Sequence, residues 1–86
     1  MPRISQFHGV DIYMYYNDHL PPHFHAMHGD DEALFEINPP KLYRGALRKN
    51  ILRRVETWAA LHTAELEDNW QRARNGQPLL PIPPLP

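Results

Sequence analysis

Ten prolines in 86 residues decide where regular structure can run. Proline has no backbone N–H and is confined to first helical turns, strand edges and turns. Pro21-Pro22 and Pro39-Pro40 cut the front half into segments of strand length. From Pro78 onward, five prolines exclude both helix and central strand. Residues 41–77 hold none, so a long helix can form only there. A chain of this length buries roughly 60–65% of its unfolded surface, which allows one domain with a thin core.

The front half reads as strands. Val10, Ile12, Met14 and Tyr16 alternate with Asp11, Tyr13 and Tyr15, the period of a pleated surface. Ile4 to His8 reads as a preceding strand broken at Gly9. His23 to His28 and Asp31 to Ile37 flank Gly29-Asp30, which reads as a two-residue type II′ turn with positive φ at Gly29. That turn pairs His28 with Asp31, Ala26 with Ala33 and Phe24 with Phe35 on one face of the ribbon, and Met27 with Glu32, His25 with Leu34 and His23 with Glu36 on the other. A slip of one residue would mix the faces. Lys41 to Arg44 reads as a last short strand ending near Gly45.

The back half reads as one continuous helix from about residue 47 to 74, with the alternative that Thr63 caps a second helix and breaks the first. Ile51, Leu52, Val55, Trp58, Ala59, His62, Leu66, Trp70 and Ala73 form one stripe at spacings of three and four. Asn75-Gly76 is the stop signal, and Asp68 and Arg72 are placed to pair at i,i+4. The tail from Pro78 to Pro86 has no polar side chain and reads as polyproline II-like, packing back on the domain. The expected architecture is α+β: a three- to four-stranded antiparallel sheet packed against one long C-terminal helix, with residues 1–76 as a single domain and 77–86 as an extended proline-rich tail.

Charge is unevenly spread. Residues 1–40 hold one basic and six acidic side chains, while residues 41–54 hold Lys41, Arg44, Arg48, Lys49, Arg53 and Arg54 and no acid. The net charge of -1 argues against bulk nucleic-acid binding and against a polybasic membrane anchor. No apolar run approaches the roughly 20 residues of a membrane span, and the opening MPRISQFHGV lacks a signal-peptide core, so a cytoplasmic protein is expected. There is no cysteine, hence no disulfide or thiolate ligand. Ser5, Thr57 and Thr63 stand in no nucleophile context, and the four glycines form no phosphate loop.

The segments FHGVDIYMYYNDHLPPHFHAMHG, EALFEI and VETWAALHTAELEDNWQRARNGQPL make the chain resemble the bacterial family called domain of unknown function 4160. The resemblance spans roughly residues 1–82 and centres on NDHxPPHFHA, here Asn17 to Ala26. Met27-His28 and Asn38-Pro39-Pro40 depart from the family pattern outside that motif. The resemblance implies no established activity. It implies a small bacterial interaction protein, encoded beside another small protein as one component of a toxin–antitoxin-like pair.

Five of six histidines fall within residues 8–28. On a strand, His23 and His25 share a face about 7 Å apart, and the hairpin register sets Glu36 beside His23. Two imidazoles and a carboxylate (His23, His25 and Glu36) suit zinc or another first-row divalent metal. The same residues also read as a plain cross-strand pair with no cofactor at all. His19, His23 and His25 are the acid/base candidates, since imidazole titrates near neutrality. The NDHxPPHFHA corner and the hairpin are the expected recognition surface, with Asn17, Asp18, His19, Arg44, Arg48 and Lys49 as partner-binding residues, for the neighbouring small protein or a second copy. The alternative to interaction is a metal-dependent or histidine-based hydrolase, ribonuclease-like. His62 reads either as a core histidine bonded to a carbonyl or as a further member of the His23–His25 group.

Overall fold

The computed structural model describes residues 3–86; Met1 and Pro2, which open the predicted 1–76 unit and the MPRISQFHGV segment, lie outside the described residues. Five strands, β1 (Arg3–Phe7), β2 (Val10–Tyr13), β3 (His23–His28), β4 (Asp31–Glu36) and β5 (Lys41–Gly45), form an antiparallel meander in the order β1-β2-β3-β4-β5. Two helices follow, α1 (Lys49–Leu61) and α2 (Thr63–Arg74). The class is α+β. The sheet has more strands than the three or four expected, because both the short N-terminal strand and the strand after Pro40 join it, each across a register shift. None of the helices described is long and apolar enough to cross a membrane.

Turn chemistry explains the meander. His8 and Gly9 both take positive φ (49° and 76°), the pattern of a type I′ turn, and join Phe7 to its partner Val10. Gly29 has φ 60° while Asp30 does not share it, as a type II′ turn requires. The β3–β4 register is the expected one from His28–Asp31 through to His23–Glu36. Gly45 ends β5 with φ 81°, and a Cβ there would lie 2.2 Å from the Glu32 carbonyl oxygen, so only glycine fits.

That register sorts the faces. Ile12, Ala26 and Ala33 form a row across β2, β3 and β4, and all three are buried. Phe24 and Phe35 stack with ring centroids 5.3 Å apart, and Trp58 of α1 stands edge-on to Phe24 at 5.8 Å. The other row, Tyr13, His25, Leu34 and Arg44, crosses β2 to β5 on the opposite side.

The helix is not continuous. The backbone of His62 turns aside (φ -125°, ψ 26°), its N–H bonds the Ala59 carbonyl, and the Thr63 hydroxyl donates to that same carbonyl at 3.1 Å. A threonine that competes for a helix carbonyl bends or breaks the ladder. The apolar stripe stays in phase through the break, so periodicity did not reveal it. α1 buries Ile51, Val55, Trp58 and Ala59; α2 buries Leu66, Asn69, Trp70 and Ala73. The C-terminus of α2 is a Schellman motif: Gly76 at φ 68°, Gln77 N–H to Arg72 O at 2.8 Å, Gly76 N–H to Ala73 O. The Asp68–Arg72 pair forms at 2.8 Å.

The proline-rich segment packs along β1 and both helices. Ile82 is buried; its N–H donates to Ile4 O at 2.8 Å, and the Ser5 hydroxyl donates to Ile82 O at 3.0 Å. Trp58 Nε1 donates to Pro83 O at 2.9 Å. Asn69 binds both backbone groups of Leu80, each at 2.9 Å. The outer edge of β1 is thereby covered, while no strand or tail pairs with the outer edge of β5 among the described residues.

Candidate functional site

The connection from β2 to β3 folds into a corner. β2 pairing ends at Tyr13, earlier than the alternation to Tyr16 implied, yet Met14 stays buried and Tyr15 stays with the opposite face. Tyr16 does not join the core; it is exposed and its hydroxyl donates to Gln77 O at 2.9 Å. Asn17 takes φ 59°, a conformation asparagine tolerates better than most residues. Asp18 Oδ1 accepts the His19 N–H at 3.0 Å, and Pro21-Pro22 follow, needing no donors satisfied. The corner returns the chain so that Asp18 lies against the first residues of β3.

His23 is fully buried. Its Nδ1–H donates to Pro21 O at 2.7 Å, which in the neutral ring leaves a lone pair on Nε2. Nε2 lies 3.0 Å from Asp18 Oδ2 but off any hydrogen-bond direction. Among the described residues it is the one buried side-chain nitrogen or oxygen without a hydrogen-bond partner. The rings of His19 (4.9 Å between centroids), His25 (5.2 Å), Trp70 (5.4 Å) and Tyr43 (5.9 Å) enclose it.

His25 faces the same carboxylate oxygen, with Nε2 3.0 Å from Asp18 Oδ2. Its other nitrogen, Nδ1, meets Glu32 Oε2 of β4 at 3.1 Å, and Tyr15 stands edge-on to its ring at 4.6 Å. Asp18, His23 and His25 each offer one ligand atom, all within 4.8 Å of one another. Burial pushes the Asp18 carboxyl upward, but the hydrogen bonds from His25 and the His19 amide, with the charges of both imidazoles, outweigh it and hold the group below its ordinary value. Asp18 is therefore a carboxylate at neutral pH. Burial, then Glu32, Tyr13 and Asp18, push the Tyr15 phenol upward, so it keeps its proton.

The 3.0 Å separations of the two Nε2 atoms from Asp18 Oδ2 suit a shared cation, and the three ligand atoms, together within 4.8 Å, would draw closer to hold it. Neighbouring ligand atoms on an ion with bonds of 2.0–2.1 Å stand about 3.0–3.4 Å apart. Both histidines also have their remote nitrogen engaged, His23 by a carbonyl and His25 by a carboxylate, the arrangement that orients metal-bound imidazoles.

The third group differs from the expected one. Glu36 is the Cα partner of His23, but the bond from Nδ1 to Pro21 O turns the His23 ring toward Asp18. Glu36 instead lines a cavity of about 110 Å³ with Pro22, Ile37, Asn38 and Glu67. Of the residues expected at a recognition surface, Asn17, Asp18 and His19 belong to this corner. His19 is exposed, its Nδ1 bonded to Leu20 O and its Nε2 3.8 Å from Asp18 Oδ1. Arg44, Arg48 and Lys49 lie exposed on β5 and at the start of α1, away from the corner except that the Arg44 guanidinium sits 5.5 Å from the Tyr43 ring. His62 joins neither histidine; it bonds Glu65 and packs on Trp58. Glu32 and Trp70 were not foreseen as parts of the site. The spacing Asp18, His23, His25 around two prolines was the available signal for Asp18.

No curated protein and no solved structure matches the chain. The family model described as Domain of unknown function (DUF4160) matches residues 9–71, which include the whole corner, β2 to β5, α1 and most of α2. With well over half of its length matched, the chain belongs to the DUF4160 family.

Proposed function

We propose that Asp18, His23 and His25 hold a first-row divalent metal ion and that the protein is a metal-dependent hydrolase. The observation that carries this reading is the buried, unpartnered Nε2 of His23, lying 3.0 Å from a carboxylate oxygen that His25 Nε2 also faces. Buried polar atoms are almost always satisfied, and an exception in a cluster of ligand-type groups calls for an ion. Two imidazoles and one carboxylate leave coordination positions open, as catalytic sites do. An ion held there supplies Lewis acidity and activates water near neutral pH. His19, exposed at the lip, is the acid/base group of this reading. Calorimetric titration with zinc, nickel and manganese tests it. Binding is expected in the wild type and in Glu36→Gln, and is lost in Asp18→Asn, His23→Ala and His25→Ala. Absence of heat with all three metals overturns it, as does retention of binding by Asp18→Asn.

A second reading, an interaction protein of a toxin–antitoxin-like pair, draws support from the open edge of β5. Lys41 and Arg44 of β5, and Arg48 and Lys49 at the start of α1, are exposed and form no salt bridge among the described residues. Unpaired strand edges recruit other chains, and these charges favour an acidic one. Co-expression with the adjacent reading frame should give a complex weakened by Arg44→Glu and Lys49→Glu; failure to co-purify counts against it.

A further inference from the structure

The geometry points to an extended segment of a partner protein, acidic and apolar in alternation, that adds to the outer edge of β5 as a further strand. This rests on the interaction reading above, names the partner's chemistry, and does not depend on the metal.

β5 is hydrogen-bonded on one side only. β4 is its one neighbour in the sheet, and among the described residues no loop or tail bonds its other side. Its outward backbone N–H and C=O groups therefore have no protein partner. Four of its five residues are exposed and Tyr43 is half-buried.

The two faces of this edge differ. Cα partners in an antiparallel pair share a face, so Lys41 opposite Glu36 and Arg44 opposite Leu34 lie on the face of His25. Lys41 and Arg44 are three positions apart, and the register shift between Leu34 and Phe35 is what puts both on that face. Leu42, opposite Phe35, lies on the other face, that of the Phe24–Phe35 stack, yet it is 36% exposed. A strand laid against β5 meets two cations with one set of its side chains and an exposed leucine with the other. In strand addition the main chain supplies the hold and the alternate side chains the choice of partner.

Charge commits the occupant. Lys41 and Arg44 of β5, with Arg48 and Lys49 at the start of α1, have no salt-bridge partner among the described residues, although Glu36 is the register partner of Lys41. A second copy paired β5 to β5 brings two lysines and two arginines to one seam, and like charges across a strand pair destabilise it. Cations and bulges on an edge strand turn away copies of the same chain. Glutamates or aspartates convert those cations into favourable cross-strand pairs, so the features that exclude a like strand admit an acidic one. A nucleic-acid strand would also answer the cations, but its phosphates only accept hydrogen bonds and offer nothing to the outward carbonyls.

Titration of nitrogen-15-labelled protein with a capped Glu-Val-Glu-Val-Glu-Val peptide tests this by NMR. The peptide should shift the backbone amides of β5 saturably and slow their hydrogen exchange, which a contact through charge alone does not do. The double variant Lys41→Glu, Arg44→Glu should bind it at least tenfold more weakly, with an unchanged urea midpoint. A Lys-Val repeat and a Glu-Glu-Glu-Val-Val-Val peptide should also bind at least tenfold more weakly. No saturable shift at millimolar peptide, shifts without slowed exchange, or equal binding by the double variant or by either control peptide overturns the inference. So does tighter binding of a uridine oligonucleotide, or a dimer in solution whose β5 amides are already protected. If the product of the adjacent reading frame co-purifies equally with the double variant, the pair reading stands and this inference falls. If it does not co-purify while the peptide binds at β5, the pair reading falls and this inference stands.

Discussion

Replacing Asn69 by alanine removes the side chain that grips the proline-rich segment by its backbone. Asn69 is buried on α2; its Nδ2 donates to Leu80 O and its Oδ1 accepts from Leu80 N–H, both at 2.9 Å. The substitution leaves one donor and one acceptor of Leu80 without their partner. A buried polar group stripped of its partner costs about 1–3 kcal/mol. Leu80 is 46% exposed, so water reaches it and the low end applies to each group. The expected loss is about 2–3 kcal/mol. Native stability of roughly 0.05–0.15 kcal/mol per residue gives this chain about 4–13 kcal/mol in all, so the loss is a large fraction. Urea unfolding followed by tryptophan fluorescence reads it directly, because Trp58 Nε1 donates to Pro83 O in the same segment. With a slope near 1.5 kcal/mol/M, the midpoint should fall by about 1.3–2 M. Leu80→Ala, which keeps both backbone bonds, should move it by less than a third of that. A midpoint change below about 0.3 M for Asn69→Ala, or equal effects of the two substitutions, refutes the reasoning, since the segment would then be an appendage.

Trp58 is fully buried against Phe7 and Phe24, and Trp58→Ala should cost about 3–5 kcal/mol in the same unfolding assay, enough to leave much of the chain unfolded. Zinc at a hundredfold excess over its dissociation constant should stabilise the protein by about 2.7 kcal/mol, raising Tm by roughly 11–22 °C in a thermal scan, with no shift in Asp18→Asn or His23→Ala. In metal-free protein, the depressed pKa of Asp18 means its ionised form contributes stability that is fully present above the unfolded-state value of about 3.9 and is lost as pH falls through the folded-state value. The stability gap between wild type and Asp18→Asn, measured by urea unfolding, should therefore narrow below about pH 4; a gap that stays constant to acid pH contradicts the assignment.

The hairpin from His23 to Glu36 was legible from the sequence because its signal is local: a glycine that accepts positive φ, and alternation that only one register satisfies. The end of α2 was legible for the same reason, in Asn75-Gly76. The break at His62 was signalled only by Thr63 as an alternative cap, since it rests on which group reaches the Ala59 carbonyl, and a stripe that keeps phase carries no record of that. The site was half legible. Strand parity brought His23 and His25 together, but parity fixes where a Cβ points and not how an imidazole is turned. That rotation is set by Pro21 O, and it exchanges Glu36 for Asp18. Asp18 sits in a turn, as the His19 bond shows, and strand parity does not reach a turn residue.

The tail bonded along β1 leaves the sheet with one unsealed side. A filament of stacked sheets needs two growing ends on every molecule, and this molecule offers only one. Joining β5 to β5 across a twofold axis would use it up and stop at a pair. Among the described residues, growth by edge pairing alone therefore ends at two copies.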